Sequence, residues 1–170
     1  MNDLLKNQFC ESVLSPVRLS FNIENVDGFF PGFALGDFAV LHGSSAVQSL
    51  LTRLCVRAQL PYQLGGLETN VLFVDGGNSF RLYNVSAFAQ AYELDPRDVL
   101  GRIFVSRAFT AYQLTSLVFE QLQSTIEDYG SKFVVVSNLA QLYLDSDVPK
   151  KEAQEVFLQL TAYLAAHGST

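Results

Sequence analysis

The chain has 170 residues, of which 49% are hydrophobic and 16% charged, and its formal net charge is −6. This composition predicts one globular domain and excludes an intrinsically disordered chain. Because nucleic-acid affinity depends on lysine and arginine contacts to phosphate, the acidic balance argues against a general polyanion binder. We therefore expect DNA binding that is at most weak.

Neither a membrane segment nor a metal site is predicted. The apolar runs are too short to span a bilayer, and the N-terminus lacks the apolar core of a signal peptide, so we expect a cytoplasmic protein without membrane contact. Cys10 and Cys55 are the only cysteines, and two thiols in an intracellular chain are most often reduced. No His/Cys cluster has metal-ligand spacing.

Residues 1–36 are predicted to form an N-terminal extension ahead of an α/β core over residues 37–168. The turn-rich stretch that ends the extension is typical of a small hairpin or an edge strand. Its segment "GFFPGFALG" (28–36) contains Phe29, Phe30 and Phe33. Three such rings are hard to bury together in a small domain, so we expect an interaction surface here.

Apolar strands and amphipathic helices are predicted to alternate along the rest of the chain. This order indicates a layered α/β fold with right-handed crossovers. The predicted sheet has few strands. A longer parent protein, or a partner that completes the sheet, would explain this small number. Helical patterns begin after Ser45, at Asn84, at Ala111 and at Asp147-x-Pro149, and Asp95-Pro96 is typical of a further helix start. The predicted buried strands are residues 38–42, 70–76, 102–108 and 132–138.

Gly43, Ser44 and Ser45 lie between the first predicted strand and the first predicted helix. A helix N-terminus can hold an anion with its free N–H groups, so this junction is a candidate phosphate site. A P-loop, however, carries a lysine and a hydroxyl residue here, whereas this chain has Ala46 and Val47. An ordinary serine helix cap is the alternative reading.

Asp75 ends the second predicted strand, at the sheet edge where open α/β folds bind ligands. A lone carboxylate there is also typical of a structural hydrogen-bond acceptor. Contacts to phosphate or DNA, or alternatively local ion pairs, are predicted for four arginines: Arg53, Arg57, Arg102 and Arg107.

Four stretches in the right order resemble the core of the RecA/RadA recombinase family, in the branch used by archaea and eukaryotes. The stretch "VLFVDGGNSFR" (71–81) is similar to the family's strand ending in D-T-E-G-T-F-R. "AQAYELDPRDVLGRIFVSRAFTAYQL" (89–114) looks like its G-L-D-x-x-x-V-L-x-N-I and A-R-A-[FY] region, and "KFVVVSNLAQLY" (132–143) like its Walker B strand. With "LPYQLGG" (60–66), the resemblance covers roughly residues 30–164.

The resemblance implies a single RecA-like domain, with a mainly parallel sheet flanked by helices and possible truncation of that sheet. It also implies a degenerate nucleotide site. Matching GSSAVQ (43–48) to the family's G-S-G-K-T-Q puts Ala46 at the lysine and Val47 at the hydroxyl residue. The catalytic glutamate falls at Gly77 and the Walker B aspartate at Ser137. The turn upstream is about three residues short, which removes N–H groups from a phosphate cradle.

Phosphoryl transfer depends on a positioned lysine, a metal and a water-orienting acid, and all three positions are neutral here. We therefore expect a pseudo-ATPase without a cofactor, an accessory or regulatory factor in DNA recombination or repair that contacts a recombinase or itself. One alternative is a residual ATP/Mg-binding protein that uses an atypical site around residues 43–45, Asp75 and Asn138. Another is a structural partner in an unrelated assembly.

Overall fold

A computed structural model describes residues 17–144 and 149–168 of the chain. Residues 1–16 of the predicted extension, including Cys10, lie outside the described residues, as does Asp147 ahead of the last helix. Within the described residues, no helix is both long and apolar enough to cross a membrane.

Strands and helices alternate through the described chain, as the sequence predicts. The N-terminal part contains β1 (Arg18–Leu19), α1 (Glu24–Asp27), β2 (Phe33–Ala34), α2 (Ala46–Arg57) and a 3₁₀ turn (Tyr62–Leu64). The remaining elements are β3 (Asn70–Asp75), α3 (Leu82–Ala91), α4 (Pro96–Gly101), β4 (Ile103–Arg107), α5 (Ala111–Ser116), a π-helical turn (Leu117–Gln121), α6 (Leu122–Tyr129), β5 (Ser131–Ser137), α7 (Leu139–Tyr143) and α8 (Lys150–Gly168).

The main sheet has three parallel strands in the order β4-β3-β5. β3 is central because it pairs with both β4 and β5. Five of its six residues are buried, as expected for a strand covered on both faces. Since successive side chains of a strand point to opposite faces, Val71 and Phe73 enter one core and Leu72 and Val74 the other. Helices α2, α3 and α4 cover the first face, and α5 to α8 cover the second.

The predicted helix start at Asp95 is confirmed. The Asp95 carboxylate accepts a hydrogen bond from the backbone N–H of Arg97 at 2.7 Å, and Pro96 occupies the first helical position. The predicted helix over residues 111–129 is also present, although its middle turn is π-helical. The N-terminal hairpin forms through antiparallel pairing of β1 with β2.

The predicted first strand, residues 38–42, is wrong. No strand is assigned there, and four of its five residues are exposed, with Leu41 half-buried. A strand needs a hydrogen-bonded neighbour as well as a suitable sequence, and among the described residues no strand pairs with this segment.

The described part of the N-terminal extension belongs to the first core rather than standing apart from it. Leu19 and Phe21 are 0% and 6% exposed and pack with Val71 and Phe73. Arg57, buried under the hairpin, donates to the carbonyl oxygens of Ser20, Leu64 and Gly65 and to the Ser20 hydroxyl. These hydrogen bonds fasten the hairpin to α2.

Candidate functional site

Asp75, Gly77 and Ser137 come together at the carboxyl ends of β3 and β5. Asp75 is fully buried, and its Oδ1 accepts from the Gly77 N–H at 3.3 Å and from the Ser137 hydroxyl at 3.1 Å. Oδ1 also accepts from the N–H and hydroxyl of Ser79, and Oδ2 accepts from the N–H of Phe80. The carboxylate therefore shapes the whole loop between β3 and α3.

The hydrogen bonds to Asp75 stabilise its charged form. Burial by itself raises the pKa of this carboxyl, but the donors on Phe80, Ser79 and Gly77 outweigh burial, so its pKa is lower than usual. The Arg107 Nε lies 3.8 Å from Oδ2 and adds a nearby positive charge. Asp75 is thus a structural acceptor, with both of its oxygens already engaged by the chain.

Asn138 fills the space in front of Gly77. It follows β5 directly, and its φ of +52° places it in the left-handed region that asparagine tolerates. A Cβ added at Gly77 would overlap the Asn138 side-chain amide and would lie 2.8 Å from the Asn138 Cβ. Gly77 therefore has to remain without a side chain while Asn138 keeps this position.

The turn formed by Gly43, Ser44 and Ser45 is exposed and reaches the same edge indirectly. Gln48, in the first turns of α2, donates from Nε2 to the Asn138 Oδ1 at 3.3 Å. Ser45 makes no side-chain cap, whereas the Ser44 hydroxyl accepts a long hydrogen bond of 3.4 Å from the Ala46 N–H. The Ala46 side chain is exposed, and Val47 is half-buried.

The four candidate arginines do not form one patch, although Arg53 and Arg57 both lie against the Tyr92 ring. Arg107 lies beside Asp75 at the carboxyl edge, whereas Arg102 lies at the opposite edge and donates to Asn70. Arg53 donates from Nε to the Tyr92 hydroxyl at 3.0 Å. Arg57 is the buried residue whose hydrogen bonds hold the hairpin to α2. Burial tends to raise the pKa of Tyr92, but hydrogen bonds led by the one from Arg53 outweigh it and lower that pKa.

The three candidate phenylalanines separate into packed and projecting rings. Phe30 and Phe33 form a cluster with Phe21, with ring centroids 4.8 to 6.1 Å apart. Phe29 is 95% exposed and projects away from that cluster. Of the three rings, Phe29 is therefore the one that a partner could bury most completely.

Two cavities in the described part of the chain are small. One, of about 20 Å³, lies under the π-helical turn and is lined by Gln121, Thr125 and Ser106 among others. The other, of about 60 Å³, lies between α5 and α8. Both are far below the several hundred Å³ of typical small-molecule pockets. No group of three or more metal-binding side chains occurs among residues 17–144 and 149–168.

Two residues at this edge were missed by the sequence analysis. Ser79 donates to Asp75 twice, and its position four residues after a strand-ending aspartate is the signal that could have indicated an aspartate-capped loop. Gln48 has no such signal, because its partner Asn138 is 90 residues away in the chain.

We predict that Asp75→Asn destabilises the protein most at neutral pH. A lowered pKa in the folded state means that the charged carboxylate contributes stability above the unfolded-state pKa, and that this contribution is lost as the pH falls through the folded-state pKa. The asparagine amide replaces one acceptor oxygen of Asp75 by an NH2 donor that faces other donors. This lowers the free energy of unfolding by roughly 2–4 kcal/mol. Urea unfolding at pH 7, 4 and 3 measures the difference.

The exposed carboxylate of Glu155 provides the control for this experiment, since Glu155→Gln should change the unfolding free energy by less than about 0.5 kcal/mol. A gap between wild type and Asp75→Asn that stays constant from pH 7 to pH 3 would contradict the role given to the charged carboxylate.

We predict that Gly77→Ala and Asn138→Gly are energetically coupled. Alanine at Gly77 meets the Asn138 side chain and should cost about 1–3 kcal/mol through overpacking. Asn138→Gly removes that side chain and suits the positive φ, so the same alanine should cost much less there. A double-mutant cycle from chemical unfolding measures the coupling.

Gly101→Ala is the matched control, because a Cβ at Gly101 meets nothing within 4 Å. It should be neutral or mildly stabilising in both backgrounds. Strict additivity of Gly77→Ala and Asn138→Gly would show that Asn138 does not occupy the space assigned to it.

Comparison with known proteins assigns the chain to a family. The Rad51 family model matches residues 36–164. Among curated proteins, the chain is 34% identical over 86 residues to the "Meiotic recombination protein DMC1" of Saccharomyces cerevisiae. That alignment covers 51% of this chain and 25% of the yeast protein. The order of strands and helices and the family-model match together show that the chain belongs to the Rad51 family, with its RecA-like fold.

Proposed function

We propose that this chain is a non-catalytic member of the Rad51 family that acts through protein contacts in DNA recombination. The observation that carries the proposal is that side chains of the chain itself occupy the carboxyl edge of the main sheet. Asn138 lies in the space in front of Gly77, and both oxygens of Asp75 accept hydrogen bonds. The role in recombination is supported by the family and by the printed name of the yeast relative.

The absence of charge at the aligned positions supports a pseudo-ATPase. Ala46, Gly77 and Ser137 stand where the resemblance places a lysine, a glutamate and an aspartate. Those side chains supply the positioned charge that phosphoryl transfer needs. The carboxylate of Asp75, at the same edge, forms hydrogen bonds to its own loop instead.

A protein partner is a better fit than nucleic acid to the surface of this chain. The net charge is −6, and the four candidate arginines do not form one patch, since Arg102 and Arg107 lie apart from the pair at Tyr92. Phe29 is almost fully exposed beside a packed aromatic cluster, and exposed aromatic rings are typical anchors of protein interfaces. A recombinase of the same family, or a second copy of this chain, is the partner we propose.

We predict that the chain does not hydrolyse ATP and that restoring the missing side chains does not change this. Glutamate at position 77 would meet Asn138, and aspartate at position 137 would put a second carboxylate beside buried Asp75. Phosphate release should stay at background in wild type and in the variant that carries Ala46→Lys, Val47→Thr, Gly77→Glu and Ser137→Asp.

Thermal unfolding with Mg-ATP provides the accompanying binding measurement, because a ligand at 100 times its Kd adds about 2.7 kcal/mol. We expect no shift for wild type. The control variant combines the four changes with Asn138→Gly and a turn lengthened ahead of Gly43. Turnover by the four-fold variant alone, or an ATP-dependent shift of the wild type, would support the residual-nucleotide alternative instead.

We predict that Phe29→Asp weakens binding to the protein partner without affecting the fold. Removing a central aromatic anchor costs about 2 kcal/mol or more, a loss of roughly thirtyfold in affinity. Calorimetric titration against a purified Rad51-family recombinase of the same organism, and light scattering of the chain alone, test the two partners.

Tyr83→Asp is the matched control, because Tyr83 is 89% exposed and belongs to α3 rather than to the hairpin. Equal losses for both variants would point to a general charge effect. Failure to bind the recombinase, together with a monomer at high concentration, would remove the proposed role in protein contact.

A further inference from the structure

Two arginines of α2 lie against one tyrosine ring beside α3. The guanidinium carbons of Arg53 and Arg57 lie 6.0 and 5.6 Å from the centroid of the Tyr92 ring, and that of Arg53 also lies 5.6 Å from the centroid of Phe88. Arg53 donates from Nε to the Tyr92 hydroxyl as well. The cation–π contacts and this hydrogen bond together fix the orientation of the Arg53 guanidinium.

Both arginines lack a carboxylate partner in the described part of the chain. Among residues 17–144 and 149–168, the ion pair within 4.0 Å joins Arg107 to Asp75. Backbone carbonyls and one hydroxyl accept hydrogen bonds from the buried Arg57, but these neutral groups do not cancel its charge. Because a charge removed from water is costly without a counter-ion, an anion bound from solution would stabilise this part of the fold.

The terminal nitrogens of Arg53 are free to contact a ligand. Its Nε is engaged by Tyr92, whereas Nη1 and Nη2 make no hydrogen bond to the residues that the structure describes. Arg53 is only half-buried, so this end of the guanidinium is open to solvent. Two terminal guanidinium nitrogens present parallel donors that match two oxygens of a carboxylate or a phosphate.

The Tyr92 hydroxyl lies in a positive electrostatic environment. Burial raises the pKa of Tyr92, but hydrogen bonds from Arg53, Arg57 and Asn22, together with the charge of Arg53, lower it below its usual value. The groups that favour the phenolate favour any anion placed beside it. Two guanidinium charges match the charge of about −1.5 to −2 on a phosphate monoester better than the single charge of a carboxylate.

We propose that Arg53 and Arg57, held against Tyr92, form a binding site for a dianionic phosphate group, carried by free phosphate or by a phosphomonoester. Arg53 contacts two phosphate oxygens through Nη1 and Nη2. Arg57 stays beneath the hairpin and contributes its charge without contacting the ligand. Asn22, exposed on the hairpin beside the Tyr92 hydroxyl, offers an amide donor.

A bound phosphate would supply the counter-ion that the two arginines lack and would connect the hairpin to α2 and α3. This inference is independent of the proposed function, because neither the carboxyl edge of the sheet nor Phe29 takes part in the site.

NMR titration of the full chain with inorganic phosphate at constant ionic strength tests the site. The Nε–H group of Arg53 is hydrogen-bonded, so its resonance can be followed directly. We expect this resonance to shift and to saturate with a Kd of about 1 mM. The resonance of Arg97, an exposed arginine on α4, should not saturate.

Two esters identify the form of the ligand. Methyl phosphate is a dianionic monoester, whereas dimethyl phosphate is a diester with one negative charge, like the DNA backbone. We expect dimethyl phosphate to bind at least about tenfold more weakly than methyl phosphate, because it has one charge fewer beside two guanidinium groups. Equal affinities for methyl phosphate and inorganic phosphate assign the site to a monoester, and binding of inorganic phosphate alone assigns it to the free ion.

Thermal unfolding with and without phosphate compares matched variants. Arg53→Gln removes the charge and the paired donors and should weaken phosphate binding at least about tenfold, while Arg53→Lys keeps the charge without the planar fork and should bind at an intermediate level. Arg97→Gln makes the same charge change elsewhere and should alter the Kd by less than about twofold. Because phosphate also stabilises proteins by exclusion from their surface, the difference between the two glutamine variants is the measure.

Three results would overturn the site. A shift of the Arg53 resonance that grows linearly with phosphate would show that no complex forms. Equal stabilisation of Arg53→Gln and Arg97→Gln by phosphate would show that Arg53 is not a ligand. Dimethyl phosphate that binds as tightly as methyl phosphate would show that the second arginine charge has no part in recognition. The first and third measurements use the unmodified chain, so they decide the matter even if Arg53→Gln does not fold.

Discussion

The carboxyl edge of the sheet depends on one buried carboxylate. Asp75 is fully buried and ionised, and a buried charge is tolerated only when its acceptor capacity is filled. The donors to Asp75 come from the loop after β3 and from Ser137 on β5. Arg107 on β4 supplies a nearby positive charge. One side chain thereby links all three strands to the start of α3.

The strands of the main sheet could be predicted because a short apolar run in the local sequence indicates a buried strand. β3, β4 and β5 are short apolar runs, and each observed end lies within one residue of the predicted end. Residues 38–42 have the same local character but no neighbouring strand. Strand formation is non-local, so a composition that fits a strand does not establish that a partner is in place.

The burial of Arg57 shows a second limit of local patterns. The periodicity of α2 places Arg53 and Arg57 together on its polar face, and only Arg57 is buried. The difference arises because the hairpin folds back over one end of α2, where Ser20 supplies two hydrogen-bond acceptors. The local sequence does not show that residues 17–36 fold back over α2. It therefore cannot distinguish a solvent-exposed arginine from one that the hairpin buries.

At the candidate site, the residue types could be predicted but their arrangement could not. Asp75 was expected to be either a ligand or a structural acceptor, and its hydrogen bonds show structural use. The contact between Gly77 and Asn138 depends on a positive φ after β5 and on the parallel pairing of β3 with β5. An asparagine is compatible with a positive φ, but the local sequence does not show that the ends of β3 and β5 lie side by side, so it does not predict the contact.

Stability and ligand binding compete for the same groups at this edge. The donors that hold Asp75 are the N–H groups of Gly77, Ser79 and Phe80, and a bound anion would have to draw on donors already in use. Leaving a buried carboxylate without its donors costs more than a typical hydrogen bond contributes. The hydrogen-bond network that stabilises the fold therefore keeps these three N–H groups from an anion at the carboxyl edge unless Asp75 gives them up.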